Sequence, residues 1–212
     1  MRIKYSTYWR KTSFKQKNIG DFFLDEIRKK KPKNFLEIGI FHGVTSRNVC
    51  ELLHSIHKND FKFTGIDLFS NDSEALKDEV IPNTKFSNPL KNIYYRYIVR
   101  LDPYSMKSVK KLLKKFIKNI NIIQGNSNEV LKKLDLNKFD YVFLDGRHKF
   151  ETVKNDLENL TQVVANRGTI LCDDYDLSYA PGVKNAINQY VKEKNFNLKV
   201  LQSRFAEITK IN

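Results

Sequence analysis

Three observations predict a doubly wound α/β fold with a mostly parallel, seven-stranded sheet that ends in an antiparallel hairpin. Apolar runs of five to eight residues alternate with amphipathic stretches of helical period between Asn34 and Lys194, the pattern of strand–helix–strand units. Seven of the eight glycines (Gly39, Gly43, Gly65, Gly125, Gly146, Gly168 and Gly182) fall at the ends of these stretches or within the second apolar run. The later apolar runs end in polar residues: Gly125-Asn126-Ser127, Asp145-Gly146-Arg147-His148 and Asp173-Asp174. In a parallel sheet those ends meet on one rim, where such folds bind ligands.

The elements follow in order. Residues 1–33 form a basic extension with a helix from about Ile19 to Lys30, ended by Lys31-Pro32-Lys33. The domain proper spans 34–212. Its first strand is Asn34–Gly39, followed by a helix from Thr45 to His57 with Val49, Leu52, Leu53 and Ile56 at helical spacing. Strand two is Phe61–Leu68. Residues 70–103 interrupt the rhythm with turn signals at Asn71-Asp72, Ile81-Pro82-Asn83, Ser87-Asn88-Pro89 and Asp102-Pro103, and with the aromatic cluster Tyr94-Tyr95-Arg96-Tyr97. That length exceeds an ordinary connection and reads as a lid or acceptor-binding insertion. A helix over Tyr104–Lys118 carries the apolar stripe Met106, Val109, Leu112, Leu113, Phe116 and Ile117, expected to pack in the core. Strand three is Ile120–Gln124, and a short helix follows Ser127. Strand four is Phe139–Leu144 with a helix over Phe150–Val164, and strand five is Gly168–Cys172. A helix over Gly182–Lys194 begins beside Pro181, and Asn197–Ile211 folds as two strands joined near Ser203-Arg204.

Composition narrows the class. With 41% hydrophobic and 29% charged residues the chain reads as a soluble globular domain. No apolar stretch approaches the ~20 residues of a membrane span, and Met1–Ser6 lacks the apolar core of a signal peptide. Cys50 and Cys172 fall in a helix and a buried strand and read as small core residues. A cytoplasmic protein without a membrane partner is the expectation. The net charge of +14 arises in two places: residues 1–33 carry 11 Lys/Arg against 3 Asp/Glu, and residues 107–118 carry 6 lysines and no acid. Those segments could attract an anionic partner, or form solvated faces.

The chemistry concentrates in Phe35-Leu36-Glu37-Ile38-Gly39-Ile40-Phe41-His42-Gly43-Val44-Thr45-Ser46, followed by Phe63-Thr64-Gly65-Ile66-Asp67. A strand enters a tight turn with a carboxylate before it and a hydroxyl after it, and the next strand ends on an aspartate. The turn lacks the G-x-G-x-x-G of dinucleotide sites and the G-x-x-x-x-G-K-[ST] of phosphate loops. A carboxylate there repels phosphate but suits a cationic, phosphate-free nucleoside, S-adenosylmethionine. His42 lies inside this turn and shapes it.

A second constellation lies on the same rim. Asp145, Asp173 and Asp174 are brought together by strand ends 28 residues apart in sequence. Three carboxylates so placed repel one another unless a cation sits among them, and an all-oxygen set suits Mg²⁺ or another hard divalent ion. The alternative is that these aspartates cap the following helices. His148, three residues after Asp145, is placed to face the same cavity as a general base, or to start a helix at the surface.

These runs, with Arg167-Gly168-Thr169-Ile170-Leu171-Cys172-Asp173-Asp174 and Pro181-Gly182-Val183, resemble class I S-adenosylmethionine-dependent methyltransferases. Over residues 33–195 the chain is similar to the metal-dependent subgroup of macrolide-sugar O-methyltransferases and cephalosporin hydroxylase-like proteins. The resemblance implies a Rossmann-like fold. It places Glu37, Gly39, Gly43 and Ser46 around the methionine end of the donor, Asp67 on the ribose, and Asn126 and Ser127 by the adenine, with Asp145 adjoining the donor. It further implies metal ligation by Asp145, Asp173 and Asp174, with His148 as base. Asn126 departs from the aspartate frequent at that position. The implied reaction is methyl transfer to a hydroxyl of a small molecule or sugar, by a chain for which self-association stays open. Two other readings rest on the basic segments 1–33 and 107–118: a metal-independent nucleic-acid methyltransferase, and a non-catalytic adenosyl-binding scaffold that keeps the pocket and works through its basic face.

Overall fold

A computed structural model of the chain describes residues 3–70 and 84–211. The Asn71-Asp72 and Ile81-Pro82-Asn83 turn signals lie outside the described residues. The strands are β1 (Asn34–Ile38), β2 (Lys62–Asp67), β3 (Ile120–Gln124), β4 (Tyr141–Leu144), β5 (Thr169–Cys172), β6 (Asn197–Leu201) and β7 (Phe205–Thr209). They form one sheet in the order β3-β2-β1-β4-β5-β7-β6. The first five are parallel, and β7 pairs antiparallel with both β5 and β6. The helices are α1 (Lys17–Lys30), α2 (Val44–His57), α3 (Pro89–Ile93), α4 (Met106–Leu112), α5 (Ser127–Leu131), α6 (Phe150–Asn159), α7 (Thr161–Ala165) and α8 (Pro181–Lys194).

The central strands read as continuous apolar runs because both sheet faces are covered. Alternate residues feed two cores. Phe35, Phe63, Tyr141, Phe143 and Phe205 point to the face packed by α1, α2 and α4. Leu36, Ile66, Val142, Ile170 and Ile208 point to the face packed by α6, α7 and α8. The amino-terminal segment belongs to the first core: Phe14 and Phe23 are fully buried, and their rings meet Phe143 at 6.0 and 4.6 Å.

Two sequence expectations are corrected in detail. The helix expected over Tyr104–Lys118 spans only Met106–Leu112 and tightens into a 3₁₀ turn at Lys114–Phe116. That change of period rotates Ile117 out of the stripe, and it is 57% exposed. The helix expected over Phe150–Val164 breaks at Leu160, where the Thr161 hydroxyl donates back to the Glu158 carbonyl at 2.8 Å. The insertion contains α3 and a π-helical turn over Tyr94–Val99.

Strand register sets up the rim. Ile38 lies level with Ile66 on one side and Leu144 on the other, and Leu144 lies level with Cys172. The next residue of each strand continues the ladder: Gly39 N–H donates to Ile66 O at 2.9 Å, Asp145 N–H to Ile38 O at 2.8 Å, and Asp173 N–H to Leu144 O at 3.0 Å. Gly39, Asp67, Asp145 and Asp173 therefore end four adjacent strands on a common line.

Candidate active site

The β1–α2 turn is built around its glycines. Gly39 has φ +94°, and a Cβ there would lie 2.0 Å from the Asp145 carbonyl oxygen, so β1 and β4 approach this closely only at glycine. Gly43, at φ +73°, starts α2. Phe41 between them also adopts a left-handed backbone, φ 53°, held by a 2.7 Å hydrogen bond from its N–H to Asp67 Oδ2.

Glu37 and Ser46 meet beneath this turn. The Ser46 hydroxyl donates to Glu37 Oε2 at 2.5 Å, while Glu37 Oε1 is buried with no hydrogen-bond partner among the described residues. Burial, with the Asp67 charge nearby, pushes the Glu37 carboxyl up to about 8 despite the Ser46 hydrogen bond. A buried acceptor left this way fits a cationic or N–H donor from a ligand. Asp67 accepts from Phe41 N–H, from Phe69 N–H at 2.8 Å and from the Tyr104 hydroxyl at 3.0 Å. Asn126 caps α5 by accepting from Asn128 N–H at 3.1 Å. The Ser127 hydroxyl turns away from the rim to the buried Asp156 carboxylate at 3.0 Å.

The amino-terminal arm clamps the turn from outside. The buried Arg10 guanidinium donates to His42 O at 3.0 Å, Pro103 O at 3.3 Å, and Ser108 O and Oγ at 3.1 and 3.0 Å. His42 is fully buried, and its Nδ1 accepts from Lys11 N–H at 3.2 Å. Burial and the Arg10 and Lys11 charges lower its pKa to about 3, so it stays neutral and works as a packing residue. Toward the end of α1 and just after it, positive charge is engaged in the pairs Arg28–Asp25, Lys29–Glu26, Lys30–Glu207 and Lys33–Asp60.

On the other half of the rim, Asp145, Asp173 and Asp174 converge, each offering an oxygen within 4.8 Å of the others. They line a small polar cleft with Arg147 and His148. Arg204, from the β6–β7 turn, grips Asp173 through two hydrogen bonds of 2.6 Å and lies 3.7 Å from Asp174. Asp174 accepts from Tyr179 at 2.7 Å and pairs with His148 Nε2 at 2.9 Å. Its backbone is left-handed, φ 59°, a strain that persists where surroundings over-determine a residue. Burial and the two neighbouring carboxylates push the Asp145 pKa well up. Burial and Asp174 raise Asp173 to about 6 even against Arg204. Burial also opposes charge on Asp174, but hydrogen bonds from His148 and Tyr179 bring it below the usual range. Arg204, His148 and Tyr179 thus hold Asp174 ionised, while Asp145 and Asp173 stay undercompensated.

Sequence reasoning missed Arg204, Tyr179, Tyr104 and Arg10. None sits in a motif, and each acts through a contact that only the folded chain makes.

A family model described as a methyltransferase domain matches residues 36–175, about two thirds of the chain and most of this rim. The chain belongs to that methyltransferase family. The methyltransferase domain is of the class I, S-adenosylmethionine-dependent kind, with the mixed seven-stranded sheet described above. Solved structures share its fold. The S-adenosylhomocysteine-bound methyltransferase PaMTH1 of Podospora anserina superposes with a TM-score of 0.60 at 16% identity, covering 94% of this chain and 80% of that one. The O-methyltransferase NovP gives 0.63 at 17% identity, covering 90% and 80%. CalS11, a TDP-rhamnose 3'-O-methyltransferase of calicheamicin biosynthesis, gives 0.61 at 14% identity, covering 92% and 80%. Among curated sequences, the uncharacterized protein R132 of Acanthamoeba polyphaga mimivirus is 27% identical over 154 residues. That match spans 67% of this chain and 64% of R132, less than two thirds of the relative's length.

Proposed function

We propose that this methyltransferase domain transfers a methyl group to a hydroxyl oxygen of a small molecule or sugar, with a divalent metal assisting and His148 as general base. The observation that carries the reading is the placement, on one line of strand ends, of the Glu37–Ser46 turn beside the Asp145–Asp173–Asp174 cluster with His148 paired to Asp174.

On the donor side, Glu37 with its unpartnered Oε1, Gly39, Gly43 and Ser46 receive the methionine end. Asp67 faces the ribose, its carboxylate held in place by the Phe41 and Phe69 N–H groups and the Tyr104 hydroxyl. Asn126 borders the adenine, and Ser127 holds α5 in place through Asp156. Bound S-adenosylmethionine supplies an electrophilic methyl on a sulfonium.

On the acceptor side, the all-oxygen set and its undercompensated charge fit Mg²⁺ or a similar hard ion, held by Asp145, Asp173 and Asp174. Such an ion supplies Lewis acidity that lowers the pKa of a hydroxyl beside it. Asp174 orients the His148 imidazole and stabilises its protonated form, so His148 can accept the hydroxyl proton as the oxygen attacks.

The test is calorimetric titration of S-adenosylhomocysteine into chelator-treated protein, with and without Mg²⁺, in the wild type and Asp67→Ala. Micromolar binding that the variant loses is expected. Absence of binding in both conditions overturns the reading.

A further inference from the structure

We propose that the face formed by α3, the π-helical turn after it and Trp9 docks on an anionic lipid surface. Five large apolar side chains are displayed there: Trp9 is 60% exposed, Leu90 71%, Ile93 51%, Tyr97 60% and Ile98 72%. Leu90 and Ile93 lie one turn apart on α3, and Tyr97 and Ile98 are exposed on the π-helical turn that continues it. Trp9 joins that face through an edge-on ring contact with Tyr94 at 5.4 Å. Tyr8 and Trp9 both take left-handed backbone angles, φ 49° and 63°, so strained backbone holds an indole out in water. The reverse side of the element is anchored: Tyr95 is buried and stacks on Phe86 at 5.2 Å, and Phe86 meets His42 of the donor turn at 5.6 Å.

Within residues 84–101 the charge has one sign. Residues 84–101 carry Lys85, Lys91, Arg96 and Arg100 and no acid. Among the described residues none of these four forms an ion pair with a carboxylate. Lys91 lies over the Trp9 and Phe86 rings at 5.9 and 5.7 Å, and Arg96 over Tyr97 at 5.4 Å, so apolar and cationic groups alternate across one surface.

That combination selects the occupant. A second copy meeting this face across a two-fold axis would set cations against cations, with no acid in the segment to relieve them. Single-stranded nucleic acid uses flat rings for stacking, whereas Leu90, Ile93 and Ile98 are aliphatic. An anionic bilayer surface satisfies both halves: headgroups take the cations, while aliphatic and aromatic side chains enter the headgroup–acyl boundary. Trp and Tyr favour that boundary. The sequence-level expectation of no membrane partner followed from the lack of a spanning segment, which does not bear on a face that lies on the surface.

Trp9 is the only tryptophan in the chain, so its emission reports this surface alone. The experiment titrates vesicles of phosphatidylcholine with about half phosphatidylglycerol, and vesicles of pure phosphatidylcholine, against the full chain. The expected result is a blue shift of Trp9 emission with co-sedimentation on the anionic vesicles. Apparent affinity should fall at least about tenfold on neutral vesicles or near 0.5 M salt. Leu90→Ser with Ile98→Ser should remove the blue shift, and Arg96→Glu with Arg100→Glu should remove the preference for anionic lipid. All four residues are exposed, and circular dichroism verifies that the variants fold. No emission shift at millimolar lipid overturns the proposal. So does equal binding to neutral vesicles, a lipid-free blue shift that tracks dimer formation in light scattering, or an oligonucleotide that engages Trp9 while vesicles do not.

Discussion

Replacing Glu37 by glutamine should stabilise the ligand-free protein in a pH-dependent way while weakening donor binding. Glu37 is fully buried, and burial raises its pKa from an ordinary 4.5 to about 8. The folded state therefore keeps a proton that the unfolded chain releases, and stability falls as pH rises across that window. At ~1.36 kcal/mol per pKa unit, the cost is about 1 kcal/mol at pH 5, about 3 at pH 7 and about 5 at pH 9. The Glu37→Gln side chain carries no charge and can still accept from Ser46, so the variant escapes this cost. Any penalty from burying its amide is constant with pH, which makes the slope the quantity to read. Denaturant unfolding of both proteins at the three pH values should show the gap widening by about 2–3 kcal/mol between pH 5 and 7. A gap that does not change with pH refutes the reasoning, because Glu37 would then be ionised and compensated without ligand. A linked result follows if the ammonium of the donor sits against Glu37. Binding of S-adenosylhomocysteine at pH 7 should release close to one proton, seen as a binding heat that varies with the ionisation enthalpy of the buffer. Heat independent of buffer removes that contact.

The other predictions concern the acidic half of the rim. His148→Ala should keep S-adenosylhomocysteine affinity and lower turnover by ~10²–10⁴-fold; normal turnover removes the base assignment. Asp174→Asn should abolish metal-stimulated activity, and wild-type activity indifferent to chelator would remove the metal. Arg204→Met strips the buried Asp173 carboxylate of a doubly bonded, half-buried partner, so thermal and denaturant unfolding should show a loss of up to about 3 kcal/mol. The same variant should bind Mn²⁺ more tightly by calorimetry, since a competing cation is gone. Weaker Mn²⁺ binding would mean that Arg204 holds the carboxylates in their ligating arrangement.

The alternation of apolar runs and amphipathic stretches was enough to place the elements in order and to locate the strand ends, because strand and helix periods are local properties of a chain. The turn from Glu37 to Ser46 was legible for the same reason: a backbone that must adopt φ +94° and +73° leaves glycine at those positions. The convergence of Asp145 with Asp173 and Asp174 was also legible, since parallel register brings strand ends level. What surrounds these groups emerged only in three dimensions. Arg204 reaches Asp173 from 31 residues away, Tyr104 reaches Asp67 from 37, and Arg10 reaches Ser108 from 98. Such contacts leave no periodic trace, because any turn that brings an arginine or tyrosine to the rim would serve. The stripe of residues 104–118 likewise assumed a single helical period, which the tighter turn at Lys114–Phe116 broke. Local patterning thus dictates which groups stand on the rim. The folded chain sets which charge balances each of them, because that balance depends on distance through space.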